Sequence, residues 1–413
     1  MLTWFADLNK TFLPNCMLSS SQPTDVNKHI CSYLYSKCKP KDFEQPENIV
    51  YAPYSLIEAE NNHILMSPSK DELDRYIAYD YFKIDNLPIE NINRSLNFEA
   101  KILNNCVNLS FFAEKKRFDS EVFNKLPKSI RRTDKNILPI LLDNYEIAYS
   151  KDLLKELNCN VPTNLFELDD LLKKSKSHVF SPFFCAGKDD KTLFGLISCF
   201  VESFGGKKSY EKFVEVISSS KSFEKLLDVQ LNEGEKDGEF TLRNILDLFK
   251  SWQQNEIVHP NWFNATKTDL NYFLQEEQVG VIFLPLSEHR TISRNLISKF
   301  EVSRFPVINQ KIDHCLIAPS VVVIKKTKNE LFDSVISEIV NDKIQTQLSK
   351  NSKWGPVSLK SQAYDRQADD VRFWASSCKG GQTPDLYNAV FQLDKERGNE
   401  LANQIRSYLS QKN

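Results

Sequence analysis

Three short stretches of this chain carry side chains that could bind or transform a ligand. The tripeptide Ser287-Glu288-His289 follows directly on the apolar run from Val279 to Leu286, so it stands where a buried strand passes into a helix. In α/β proteins the side chains at such junctions face the ligand crevice. Glu288 there can accept a hydrogen bond or a proton from a bound molecule, or it can be a first-turn acid stabilised by the helix dipole. Asp143 closes a second apolar run that begins at Leu138-Pro139. Burying a carboxylate unpaired is costly, which predicts a position open to a ligand. Cys185 ends the run FSPFFC, where it reads either as a nucleophile or as a buried, inert thiol. Tyr79, Tyr81 and Tyr145 read as ligand platforms or as core and rim aromatics. The six histidines lack metal-ligand spacing, so no metal is expected, and His289 is expected on a helix surface.

These residues need elements to position them. Ile147, Ala148 and Tyr149 make a second strand after Asp143, and Leu153, Leu154 and Leu157 follow at helical spacing. Pro162-Thr163 restarts a helix, with Thr163 as its N-cap and Leu165, Phe166, Leu168, Leu171 and Leu172 on its buried face. Glu72 to Phe82, ELDRYIAYDYF, reads as a buried strand ending at Asp80, and MLTWFAD and ENIVYAPY read as strands. The stretch 207–254 reads as two helices joined by the charged linker NEGEKDGEF, with Gly205-Gly206 marking a helix end or turn. Thr268 is expected to cap a short helix before the strand at 279. Residues 301–306 and 315–324 read as further strands, and Thr327 with Glu330 as a capping box. Strands alternating with helices throughout predict an α/β architecture.

Composition narrows the function. The 413 residues suit two lobes, and 41% hydrophobic residues suffice for two cores. A net charge of -2 gives no electrostatic footprint for nucleic acid. The 11 glycines form no phosphate-cradling loop. The longest apolar runs fall short of the roughly 20 residues that span a bilayer. Residues 1–12 lack the pattern of a secretory signal. The nine cysteines include no CxxC pair and fit either a reducing compartment or a secreted protein with a few bridges.

Residues 137–168, with Tyr149, Lys151, Asp152, Pro162 and Thr163, resemble the hinge-crossing segment of bacterial extracytoplasmic solute-binding proteins. FLQEEQVGVIFLPL, CLIAPSVVVIKKTKNELFDSVI and Trp354-Gly355-Pro356 extend that resemblance to residue 360. Within the superfamily, ELDRYIAYDYF, Ser287-Glu288 and LYNAVFQLDKE look most like segments of the type I thiaminases. The resemblance implies that Glu288 matches the general base of those enzymes and that Tyr79 and Asp80 lie in their aspartate-rich strand. The match is incomplete at three positions. Asp143 stands where the family has its nucleophilic cysteine, Leu286 where it has a tyrosine, and Pro319 where it has an aspartate.

The fold expected is therefore the two-lobed periplasmic binding protein-like fold of type II, with a ligand cleft between lobes. Lobe 1 is placed at 1–146 plus 318–350, and lobe 2 at 147–317 plus 351–413. The expected function is binding of a small organic molecule. The alternatives are a thiaminase-like transferase acting on thiamine or a related pyrimidine, and a transporter's solute-binding protein for sugar or another solute. Glu288 and Asp143 are the candidates for chemistry, and Asp80, Tyr79, Tyr145, Ser287, Leu286 and Cys185 those for ligand contact. No cofactor and no nucleic acid are expected. The resemblance adds a small-molecule ligand, a membrane transporter as partner, a monomer and an extracytoplasmic location, while the cysteines leave an intracellular one open.

Overall fold

The computed structural model describes residues 16–22, 26, 29–30, 33, 48–51, 77–80, 116–131, 135–220, 222–231, 240–308, 316–324, 334–335, 337–378, 381–391 and 395–411. Expectations for 1–12, for Tyr81, for most of the linker at 232–240 and for the Thr327/Glu330 cap lie outside these residues. Among the described residues the strands are β1 (Cys16–Ser19), β2 (Asn48–Tyr51), β3 (Ile77–Asp80), β4 (Leu138–Asp143), β5 (Tyr145–Ser150), β6 (Ser181–Cys185), β7 (Val279–Pro285), β8 (Phe300–Arg304), β9 (Ala318–Ile324) and β10 (Gly355–Pro356). They form two sheets, and the chain divides into two compact units, 1–142 with 319–372 and 143–318 with 373–413.

In the first unit the strand order is β10-β4-β9-β1-β2-β3. β1 and β2 are parallel, while β1 with β9, β2 with β3 and β4 with β10 are antiparallel. Gly355 and Pro356 pair with Leu142 and Leu141, and this backbone pairing keeps 351–372 with the first unit, whereas the sequence reading gave that stretch to lobe 2. Gln345, fully buried in the helix Asp342–Ser352, donates to the carbonyls of Ile140 and Ile339 and accepts from the Val357 N–H. One amide side chain thus satisfies three buried backbone groups and ties the helix to β4.

In the second unit the order is β6-β7-β5-β8. β6 and β7 run parallel, and β5 runs antiparallel to both of its neighbours, with Tyr145 opposite Pro285. The carboxyl ends of β6 and β7 and the amino end of β5 therefore share one edge. Helices of this unit include α1 (Lys151–Glu156), α2 (Leu165–Ser175), α3 (Asp190–Ser219), α4 (Leu242–Gln254), α5 (Lys267–Gln275), α6 (Leu286–His289) and α7 (Lys395–Ser410). Two shorter turns, Trp262–Asn264 and Tyr387–Phe391, complete the description used below. Phe200 packs edge-on against Phe249, Trp252 and Phe305, at 5.0 to 5.7 Å between ring centres, and holds α3, α4 and the segment after β8 in one core. Fully burying such a ring is worth about 1.5–3 kcal/mol.

The caps differ from the sequence reading by one or two residues, for a common reason. Asn164, and not Thr163, caps α2, accepting from the Glu167 N–H at 2.9 Å, while the Glu167 carboxylate accepts from the N–H and hydroxyl of Thr163. Thr266, and not Thr268, caps α5, in a reciprocal box with Asp269. In each case a carboxylate three or four residues ahead selects which residue closes the turn. Gly206 adopts φ 73° and ψ -170° and kinks α3, a conformation open to glycine, which bears out the turn read at Gly205-Gly206. Among the described residues Cys159, Cys185, Cys199 and Cys378 are free thiols, and no helix is long and apolar enough to cross a membrane.

Candidate functional site

The turn from β7 into α6 brings the chemistry together in the second unit. Strand β7 is apolar because it is the second of four strands and is covered on both faces, and Pro285 at its end halts the sheet and starts α6. The first residue of α6, Leu286, is fully buried and donates its N–H to the Asn144 carbonyl at 2.8 Å. The next three residues divide their work. Ser287 donates its N–H to Asp143 Oδ1 at 3.0 Å and its hydroxyl to Oδ2 at 2.7 Å. His289 Nδ1 lies 2.7 Å from Oε2 of Glu146, and both residues are buried. Between these two anchors Glu288 turns the other way, and its Oε1 meets the ammonium of Lys267, the first residue of α5, at 2.6 Å.

This arrangement corrects one expectation and explains another. His289 is 3% exposed and so is buried rather than on the helix surface, because the Glu146 carboxylate on β5 offers it a partner that the sequence does not place nearby. Asp143 is 1% exposed, and its burial is compensated by the two hydrogen bonds from Ser287. With Ser287 below and His289 beside it, the short turn is fixed at both ends.

Electrostatics sharpen the picture at Glu288. Burial raises its pKa above the ordinary 4.5, the bond and charge of Lys267 pull it back, Asp189 pushes it up, and Lys191 pulls it down. Asp189 and Lys191 flank the start of α3, where Asp189 caps the helix by accepting from the N–H and hydroxyl of Thr192. The loop leading to that cap is held by Arg406 on α7, which donates to the carbonyls of Gly187 and Lys188 and pairs with Asp190 at 2.6 Å. Glu288 thus lies within electrostatic reach of one further carboxylate, Asp189, and two ammonium groups, those of Lys267 and Lys191.

The remaining expected residues occupy the following places. Tyr145, 9% exposed, stacks on Phe283 with ring centres 5.2 Å apart and donates its hydroxyl to the Lys191 carbonyl at 3.3 Å. Its phenol is pushed well above the usual range by burial and then by Asp385. Cys185 ends β6 at 1% exposure, and burial, with the charge of Asp189, holds its thiol well above the usual range. Tyr79 and Asp80 end β3 in the first unit, opposite Ile49 and Asn48, and their side chains lie outside the described residues. The structure thus gathers Asp143, Ser287, Glu288 and Tyr145 around one strand edge, with Leu286 and Cys185 beneath it. The sequence reading missed Lys267, Asp189, Lys191 and Glu146. The first was open to detection, since Thr266-x-x-Asp269 is a capping-box pattern that puts Lys267 at the first helical position. The others carry no local signal.

No family model matches the chain, and no curated protein matches it. Solved structures do. The chain is similar to the bacterial solute receptor AcbH, at 11% identity over 95% of this chain and 96% of that one, with a TM-score of 0.59. It is similar to the solute-binding protein RafE in complex with raffinose, at 12% identity over 95% and 98%, with a TM-score of 0.56. A sugar transporter from Bacillus licheniformis in complex with stachyose gives 13% identity over 95% and 98%, with a TM-score of 0.53. Likeness at these identities shows the fold, which is the mixed α/β fold of two-lobed solute-binding proteins. It supports the broader resemblance read from the sequence and lends nothing to the narrower one, to type I thiaminases.

Proposed function

We propose that this chain is a solute-binding protein that takes a small hydroxyl-rich molecule of the sugar class at the carboxyl edge of β6 and β7, outside the cell's cytoplasm, and delivers it to a membrane transporter. The observation that carries the reading is the Ser287-Glu288-His289 turn. Its outer residues are tied to Asp143 and Glu146, and its middle carboxylate is presented beside Lys267. In open α/β sheets ligands bind outside the carboxyl ends of the strands. There the Glu288 carboxylate accepts from a sugar's hydroxyls, and the Lys267 ammonium donates to them. Structures of the same fold that carry raffinose and stachyose, together with a receptor described as preferring β-D-galactopyranose, support the ligand class.

Two observations favour binding over transferase chemistry. Both oxygens of Asp143, the residue at the thiaminase nucleophile's position, accept hydrogen bonds from Ser287, which lowers their nucleophilicity. The Cys185 thiol is kept protonated by burial and is no activated nucleophile. The test is a thermal-shift and calorimetry panel of galactose, raffinose, stachyose and thiamine. Saturable stabilisation by one of the sugars, with thiamine recovered intact, is the expected result. Conversion of thiamine to a pyrimidine adduct with an amine acceptor would overturn it.

A further inference from the structure

The second unit has a pocket of about 310 Å³ on its helical face, between α2, α3 and α4. Its floor is core. Leu168 and Phe200 are 1% exposed and Trp252 is 3% exposed, so the concavity reaches the aromatic cluster that holds the three helices together. Leu248 and Ile308 form walls, and Phe166 stands at the mouth at 70% exposure. This volume lies at the lower end of the range for small-molecule sites, about 300–1,000 Å³, and the mix of apolar walls with a few polar groups is characteristic of them.

The polar group at the rim limits the charge of the guest. Asp169 accepts from the Trp252 indole N–H at 3.3 Å and pairs with Lys173 at 2.5 Å. Its charge is thus already matched, and a cation gains little there. The carboxylate keeps lone pairs for one more donor. The Phe200 and Trp252 rings in the lining favour a planar apolar body, since aromatic pairs prefer offset-stacked or edge-on contact.

We infer that this pocket is a second ligand site, separate from the strand-edge site, and that it takes a neutral mono- or bicyclic aromatic molecule with a single N–H or O–H directed at Asp169. A docking groove for another protein is the competing occupant. The reach of the pocket down to buried Phe200 and Leu168, with the helices closing it on three sides, favours the small molecule.

Indole and 1-naphthol are suitable probes, titrated into the full chain by calorimetry and followed by intermolecular nuclear Overhauser contacts. One saturable site is expected, with a dissociation constant of roughly 0.1–1 mM for molecules of this size. Contacts to the Leu248 and Ile308 methyls are also expected. Leu248→Trp and Ser251→Trp, at two partly exposed lining positions, should each weaken binding at least tenfold, and Glu288→Gln should leave it unchanged. Failure of both probes to saturate at millimolar concentration would overturn the inference, as would Overhauser contacts to other residues. Should a tryptophan variant not fold, the Overhauser contacts in the unmodified protein decide the question. Loss of probe binding in Glu288→Gln would place the probe at the strand-edge site instead.

Discussion

The two bonds from Ser287 to Asp143 give a quantitative test of how Glu288 is positioned. Ser287→Ala removes the hydroxyl bond to Oδ2 and keeps the backbone bond to Oδ1. A hydrogen bond to a charged group is worth about 1.5–3 kcal/mol, and Ser287→Ala should cost that much in stability. Asp143→Ala removes both bonds and leaves a buried N–H and a buried hydroxyl to find new partners. Its cost should be about 3–5 kcal/mol, above the single-bond loss. Because one bond is shared, the double variant should be less damaged than the sum of the two, with a coupling of about 1.5–3 kcal/mol. Urea unfolding followed by circular dichroism and by tryptophan fluorescence gives the four free energies. Coincident transitions by the two probes are needed for each, since two compact units can unfold separately. Additivity within about 0.5 kcal/mol would refute the clamp, because it would mean that Asp143 and Ser287 do not act as a pair.

Other consequences are measurable in the same protein. Burial raises the Glu288 pKa above 4.5, so the folded state holds that proton more tightly than the unfolded chain. Its contribution to stability is complete below 4.5 and is lost as pH rises through the raised value. Glu288→Gln cannot ionise, so its melting temperature should gain on the unmodified protein as pH rises from acid to neutral. A constant difference across that range would contradict the raised pKa. Gly195→Ala places a methyl group against the Tyr145 ring, which is held by Phe283 on its other side, and should cost on the order of 1–3 kcal/mol by overpacking; an unchanged unfolding midpoint would contradict this contact. Cys185 and Cys199, at 1% and 3% exposure and with thiols pushed up by burial, should resist iodoacetamide in the folded protein and react once it is unfolded. Rapid native labelling of either, read by mass spectrometry, would contradict their burial.

The second sheet was legible because its signals are local. Val279 to Leu286 is a continuous apolar run, as a strand covered on both faces must be, and the Ser287-Glu288 step after it announced the turn that carries the carboxylate. Asp143 was read as open to a ligand from the cost of burying it unpaired, but it is 1% exposed, and its partner Ser287 is 144 positions away, where no local signal points. A separation of 143 positions likewise hid the His289–Glu146 pair, whose partners lie on a helix and a strand that only the fold makes adjacent. The assignment of 351–372 failed for a similar reason. Two residues, Gly355 and Pro356, join β4 through backbone bonds, and a two-residue strand leaves no periodicity to read. Lys267 was obscured by placing the cap at Thr268, whereas the carboxylate of Asp269 sets it at Thr266.

The most direct test of the central claim is the affinity of Glu288→Gln for whichever sugar of the galactose, raffinose and stachyose panel binds the unmodified protein. The amide keeps the size of the side chain and loses the charge that strengthens its bonds to hydroxyls, so affinity should fall by about 1–3 kcal/mol, or roughly 5- to 150-fold. Isothermal titration calorimetry at neutral pH reads this, with circular dichroism confirming that the variant is folded. Equal affinity of the two proteins for that sugar would contradict the account, leaving Glu288 as the partner of Lys267 and nothing more.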